Sequence, residues 1–160
     1  MTAPLRYFFL CSLLCVCAAC AKNETVLDDA AQAKHEHHPP HGGTPVVLGA
    51  ELYHLELVLD SSTGHLSAYV LDGEMENFIR IAAPSFDVTT TAAGKLHALR
   101  FTAVANSATG ESVGNTAQFD AQADWLKTTP AFDATLTRLE IRGTVFTHVA
   151  FNFPGGNDRD

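Results

Sequence analysis

The rhythm of apolar positions divides the chain into three stretches. Tyr7 to Val16 is an apolar stretch, residues 21–45 have no period, and from Val46 apolar and polar residues alternate, with turn signals every 8–12 residues. Glu51–Asp60 (ELYHLELVLD) puts Tyr53, Leu55, Leu57 and Leu59 on one face and His54, Glu56 and Asp60 on the other. Ser61–Gly64 has the size of a hairpin turn, and His65–Asp72 is its return strand. Further strands are expected over Phe78–Ala82, Ser85–Thr91, Lys95–Val104, Ala134–Ile141 and Thr144–Phe153, with Pro84 marking an edge or kink. The last of these aligns Val145, Thr147, Val149, Phe151 and Phe153 on one face. Asn106–Asn115 reads as a polar loop, and Phe119–Lys127 as a short helical turn that carries Trp125 and Leu126 onto the core.

The fold class that follows is all-β. We expect an antiparallel two-sheet sandwich, immunoglobulin-like or cupredoxin-like, of seven or eight strands with one short helical turn, spanning residues 46–154. A small closed barrel is the alternative, because strand count and alternation do not separate the two. Residues 155–160 read as a disordered tail.

Ahead of this domain, residues 1–20 have the anatomy of an export signal: Arg6, the apolar run, then small residues. Cys17-Ala18-Ala19-Cys20 resembles the lipobox of bacterial lipoproteins, with Cys17 where that pattern usually has Leu. The resemblance implies cleavage before Cys20, lipidation of its thiol and a bilayer as partner. The competing register, Ala19-Cys20-Ala21, cleaves after Ala21. Residues 21–45, with Pro39-Pro40 and Gly42-Gly43, read as a flexible linker. The expected location is therefore the cell envelope, lipid-anchored and facing the periplasm or exterior.

Composition narrows the function. The 160 residues carry ten Lys and Arg against 18 Asp and Glu, a formal charge of −8, which argues against nucleic acid as a partner. All four cysteines, 11, 15, 17 and 20, lie in the export segment. The mature domain then has no thiol for nucleophilic catalysis, disulfide exchange or thiolate-ligated metal. No nucleophile elbow, phosphate-cradling glycine loop or zinc-protease helix motif occurs, and the chain does not read as an enzyme.

Histidine is the exception to this plainness. Of eight in the chain, His35, His37, His38 and His41 fall within seven residues (HEHHPPH), where imidazole nitrogens can converge on zinc or copper. His54 and Glu56, two apart on a strand, share a face with Cα atoms ~6.5–7 Å apart and are candidate fixed ligands. No cofactor is required by the sequence; a Zn or Cu ion is the candidate. The first functional expectation is a tethered envelope protein that binds or buffers a divalent transition metal through His35, His37, His38, His41, His54 and Glu56. The alternative is a non-enzymatic interaction or scaffold module of an envelope complex with no metal role.

The segment from His41 to Gly73 adds a resemblance, carried by His41-Gly42-Gly43, Leu48-Gly49, Tyr53-His54, Glu56, Asp60, Tyr69 and Leu71-Asp72-Gly73. It is similar to a stretch of uncharacterised exported bacterial lipoproteins with a His-rich leader, also seen near heavy-metal efflux adaptor subunits. It covers about a fifth of the chain. What it implies is an envelope location, divalent-metal handling and an envelope or metal-efflux protein as partner.

Overall fold

The structure, a computed structural model, describes residues 38–158. The export segment, Cys20, His35 and His37 lie outside the described residues. Eight strands follow in order: β1 (Thr44–Leu48), β2 (Tyr53–Asp60), β3 (His65–Asp72), β4 (Ser85–Ala92), β5 (Lys95–Ala103), β6 (Gln118–Gln122), β7 (Phe132–Ile141) and β8 (Thr144–Phe153). A single 3-10 turn, Asp124–Lys127, separates β6 from β7. Every ladder is antiparallel, and hydrogen bonding links all eight into one sheet of order β1-β2-β3-β6-β5-β4-β7-β8.

The sheet curls until its two ends nearly close, so its inward face makes one core. Val46, Leu48, Leu55, Leu57, Leu66, Ala68 and Val70 enter it from one end, and Leu99, Phe101, Leu136, Leu139 and Phe151 from the other. Between β1 and β8 there is no ladder. Asn157 bridges that seam instead: its side-chain oxygen accepts the Val47 amide at 2.7 Å and its side-chain nitrogen donates to the Val47 carbonyl at 3.1 Å. One amide side chain thus replaces a strand pair at an edge that would otherwise be open. Gly156 permits the approach, because a Cβ there would lie 2.3 Å from the Pro45 carbonyl oxygen. Through these contacts residues 155–157, expected as a tail, are held against β1.

Three local expectations are corrected. Phe78–Ala82 forms no strand, only the isolated bridges Leu71↔Phe78 and Ile81↔Thr116. Its amides turn alternately to two neighbours, Ile79 to the Val70 carbonyl and Ile81 to the Thr116 carbonyl, so no single ladder can grow. Among the described residues helical structure is confined to Asp124–Lys127, while Gln118–Gln122 is a strand with Phe119 and Ala121 inward. Leu126 is fully buried, as the turn was expected to achieve, and Trp125 packs against the core rim.

The third correction is the face of β8. The β7–β8 ladder pairs Leu136 with Val149 and Arg138 with Thr147, passing over Thr137 and His148. His148 has a φ of +54°, a conformation uncommon for any residue but glycine, and the alternation slips there. Phe146, Phe151 and Phe153 are buried, whereas Val145 is 45% exposed and Thr147 also faces out. The same slip in β7 turns Leu139 and Ile141 inward after Leu136.

Candidate functional site

The outer face of β2 and β3 is not left to water. Alternation does place His54 and Glu56 opposite the core, yet both are fully buried, because two loops cover them. The first is residues 39–43. Pro40 supplies the fixed φ of a β-turn closed by the Gly42 amide donating to the Pro39 carbonyl at 2.9 Å. Gly43 then runs so close to β2 that a Cβ would sit 2.5 Å from the Leu57 carbonyl oxygen. Only glycine fits, and its place beside Glu56 is what brings the loop down.

Glu56 holds the loop through both carboxylate oxygens. Oε1 accepts the amides of His41 (2.7 Å) and Gly43 (3.0 Å), and Oε2 lies 2.8 Å from His41 Nδ1. A carboxylate accepts and cannot donate, so Nδ1 carries the proton of this pair, and the lone pair of a neutral imidazole falls to Nε2. The His41 ring is stacked on Tyr69, with centroids 4.1 Å apart and planes at 22°. Its side chain remains 38% exposed while that of Glu56 is wholly buried. Among the described residues no hydrogen bond reaches Nε2.

The second loop, residues 73–81, brings an aromatic wall. Asp72 organises it: Oδ1 accepts the amides of Glu76 (2.9 Å) and Asn77 (3.2 Å), and Oδ2 the side-chain amide of Asn77 (2.6 Å). Burial raises the Asp72 carboxyl, but these bonds outweigh it and leave its pKa below the ordinary value. The fold-back delivers Phe78 to 5.7 Å from the His41 ring and 6.0 Å from Tyr69. Burial also pushes the Tyr69 hydroxyl up, aided by the charges of Asp120 and Glu56 against an opposing bond from Ser67. The three rings border a cleft of about 350 Å³ whose far side is Arg80, Thr109 and Glu111. Glu111 accepts the Thr109 hydroxyl (2.6 Å) and the Ala117 amide (2.8 Å), and Arg80 Nε stands 3.8 Å from it. Burial works upward on Glu111; these bonds and the Arg80 charge hold it below the usual range.

Of the residues singled out in the sequence, the structure brings together His41 and Glu56. His38 is exposed, just ahead of the turn. His54 is fully buried, with Nδ1 3.3 Å from the Asp72 carbonyl oxygen. A side chain with no exposed surface meets a dissolved ion only if its cover opens. Among the described residues, no three His, Cys, Asp or Glu side chains converge as a ligand set. Both oxygens of Glu56 are already engaged, by His41 and Gly43.

Sequence reasoning missed Tyr69, Phe78, Arg80 and Glu111. Tyr69 lies beside Glu56 as its ladder partner, on a strand that the sequence locates without assigning its faces. The rest depends on a loop that doubles back, which no periodicity reports. Together these features define an all-β domain carrying a carboxylate-anchored imidazole in an aromatic-walled cleft. Compared with family models, with characterised proteins and with solved structures, the chain matches none.

Proposed function

We propose that this chain is a lipid-tethered envelope protein that captures a divalent transition metal, zinc or copper, with His41 as its one pre-oriented ligand. The observation that carries the reading is the Glu56–His41 pair. A carboxylate on Nδ1 fixes the ring of His41, which borders the cleft, and leaves Nε2 without a hydrogen-bond partner among the described residues, the arrangement that metal-ligating histidines adopt with their supporting carboxylates. His38, three residues upstream, and His35 and His37 before it supply the remaining nitrogens. His54 and Glu56 support the site from beneath. Cys20 is the lipidated residue, on the strength of the lipobox-like CAAC.

Within this reading the nearly closed sheet approaches a two-layer sandwich. The β5–β6 ladder has only Thr102↔Asp120 and Ala103↔Phe119, and β1 and β8 share none. These two thin seams mark off two four-stranded layers, β1-β2-β3-β6 and β5-β4-β7-β8, over the common core.

Calorimetric titration of the purified full chain with zinc and with copper tests the proposal. The expected result is saturable binding that weakens as pH falls through ~6.5, where free imidazole protonates. His41→Ala should abolish most of it, and Glu56→Gln should weaken it about 10- to 100-fold. Binding only at millimolar metal, or binding indifferent to His41→Ala, overturns it. In that case a membrane pull-down giving the same partner with and without chelator would favour the interaction-module reading.

A further inference from the structure

A second cleft carries chemistry that the metal reading does not use. The described residues hold only six Lys and Arg: Arg80, Lys95, Arg100, Lys127, Arg138 and Arg142. Three of them, Arg80, Arg138 and Arg142, line one cleft of about 530 Å³ in a chain whose formal charge is −8. We propose that this cleft binds a phosphate group.

Each arginine reaches the cleft through a local departure from regular structure. The β4–β7 ladder covers only Val88–Thr91 against Asp133–Leu136. Beyond it the strands no longer pair, and the cleft opens where residues 80–85 face residues 138–143. Had the alternation of β7 continued past Leu136, position 138 would point into the core. The slip opposite His148 turns Arg138 outward instead. Arg142 sits in the two-residue turn between β7 and β8, with φ of +49°, followed by Gly143 at +86°. Such turns favour Asn-Gly or Gly-Gly, and a long side chain in the left-handed region is strained there. The strain is retained at a position that lines the cleft.

Donor capacity remains after the internal contacts are counted. Arg80 gives one N–H to the Thr109 carbonyl at 2.6 Å and stands 3.8 Å from Glu111 through Nε, and Arg138 pairs with Glu140 at 3.0 Å on the surface. Arg142 has no hydrogen bond or ion pair among the described residues. A guanidinium carries five N–H donors, so all three keep several. Ala82 and Ala83 also line the cleft, and their amides donate to nothing among the described residues. Planar guanidinium forks with nearby amides match the oxygens of phosphate; the opposing carboxylates are Glu140, paired with Arg138, and Glu111, near Arg80, which leaves the charge of Arg142 unopposed among the described residues.

The same chemistry occurs in inorganic phosphate and in a phospholipid headgroup, so the test uses both. Isothermal titration of the full chain with inorganic phosphate and with glycerol-3-phosphate should show saturable, salt-sensitive binding. Glycerol-3-phosphate binding more tightly points to the headgroup, and equal or weaker binding to free phosphate. Arg142→Gly relaxes the turn and removes the guanidinium; it should keep the fold and weaken binding by about tenfold. Arg138→Gln should do the same, while Glu140→Gln should tighten binding. Absence of binding to either probe up to about 10 mM, or affinities unchanged in Arg142→Gly and Arg138→Gln, overturns the proposal. Arg80 is left intact because it also borders the His41 cleft.

Discussion

Replacing Glu56 tests whether one buried carboxylate holds the loop over β2. Three donors converge on it: the amides of His41 and Gly43, and His41 Nδ1. Each bond to a charged acceptor contributes about 1.5–3 kcal/mol, so three would sum to roughly 5–9 kcal/mol if no donor regained water. They do regain it. The His41 side chain is already 38% exposed, and residues 38–43 lie ahead of β1, outside any ladder. Peeling that loop wets both amides, so the cost of Glu56→Ala is capped near about 2–3 kcal/mol. Glu56→Gln keeps a carbonyl oxygen for the two amides but not the charge, which roughly halves those bonds, and about 1–2 kcal/mol is expected. Urea unfolding at pH 7 gives the stability, and amide hydrogen exchange at His41 and Gly43 reports the loop. In Glu56→Ala those two amides should exchange at exposed-loop rates while the β2–β3 ladder loses only its share of global protection. A variant within about 0.5 kcal/mol of the parent, with His41 and Gly43 as protected as before, would refute the reasoning.

Other outcomes follow from the same geometry. Gly43→Ala forces a methyl to 2.5 Å from the Leu57 carbonyl, so it should cost about 1–3 kcal/mol by urea unfolding and lift His41 off Glu56. Asn157→Ala removes both bonds to Val47 and should cost about 1–2 kcal/mol, with exchange accelerated first at Val47. Acid should destabilise the domain through its depressed carboxylates. Asp72 and Glu111 lie below their ordinary values, and Asp60 is lowered to about 2 by the hydroxyl of Ser62, then the hydroxyl of Thr63 and the Ser62 amide. A carboxylate depressed in the folded state contributes stability above its unfolded pKa and loses it as pH falls through the folded one. Urea midpoints should therefore fall steadily from about pH 4.5 toward 2, and midpoints flat across that range would contradict the assignment.

Period-two alternation located β2, β3, β4, β5, β7 and β8 nearly to their ends, because each half-buried strand writes its inward face as Leu, Val, Phe or Ala. It could not find β6, whose five residues, QFDAQ, hold too few positions to tell a strand from the helical turn that follows. Nor could it see the slip at His148, since TVFTHVAFNF reads as one continuous phase from Val145 to Phe153 and only the positive φ at His148 interrupts it. The site was half legible. His41 and Glu56 stood out as chemistry, but alternation assigned Glu56 to an open face. Its burial comes from a loop fifteen residues away in sequence, seated by a glycine whose need for space shows only once β2 is beside it.

His41 also stands at the junction through which any preceding tether must act. Tension on the chain ahead of Thr44 reaches the Pro39–Gly42 turn and the Glu56 bonds before it reaches the first rung of the β1–β2 ladder. The weakest link under load is then the one that orients the imidazole. A domain pulled by its leader would give up the posture of His41 while its sheet stayed whole, so on the proposed reading mechanical slack becomes a condition of ion capture.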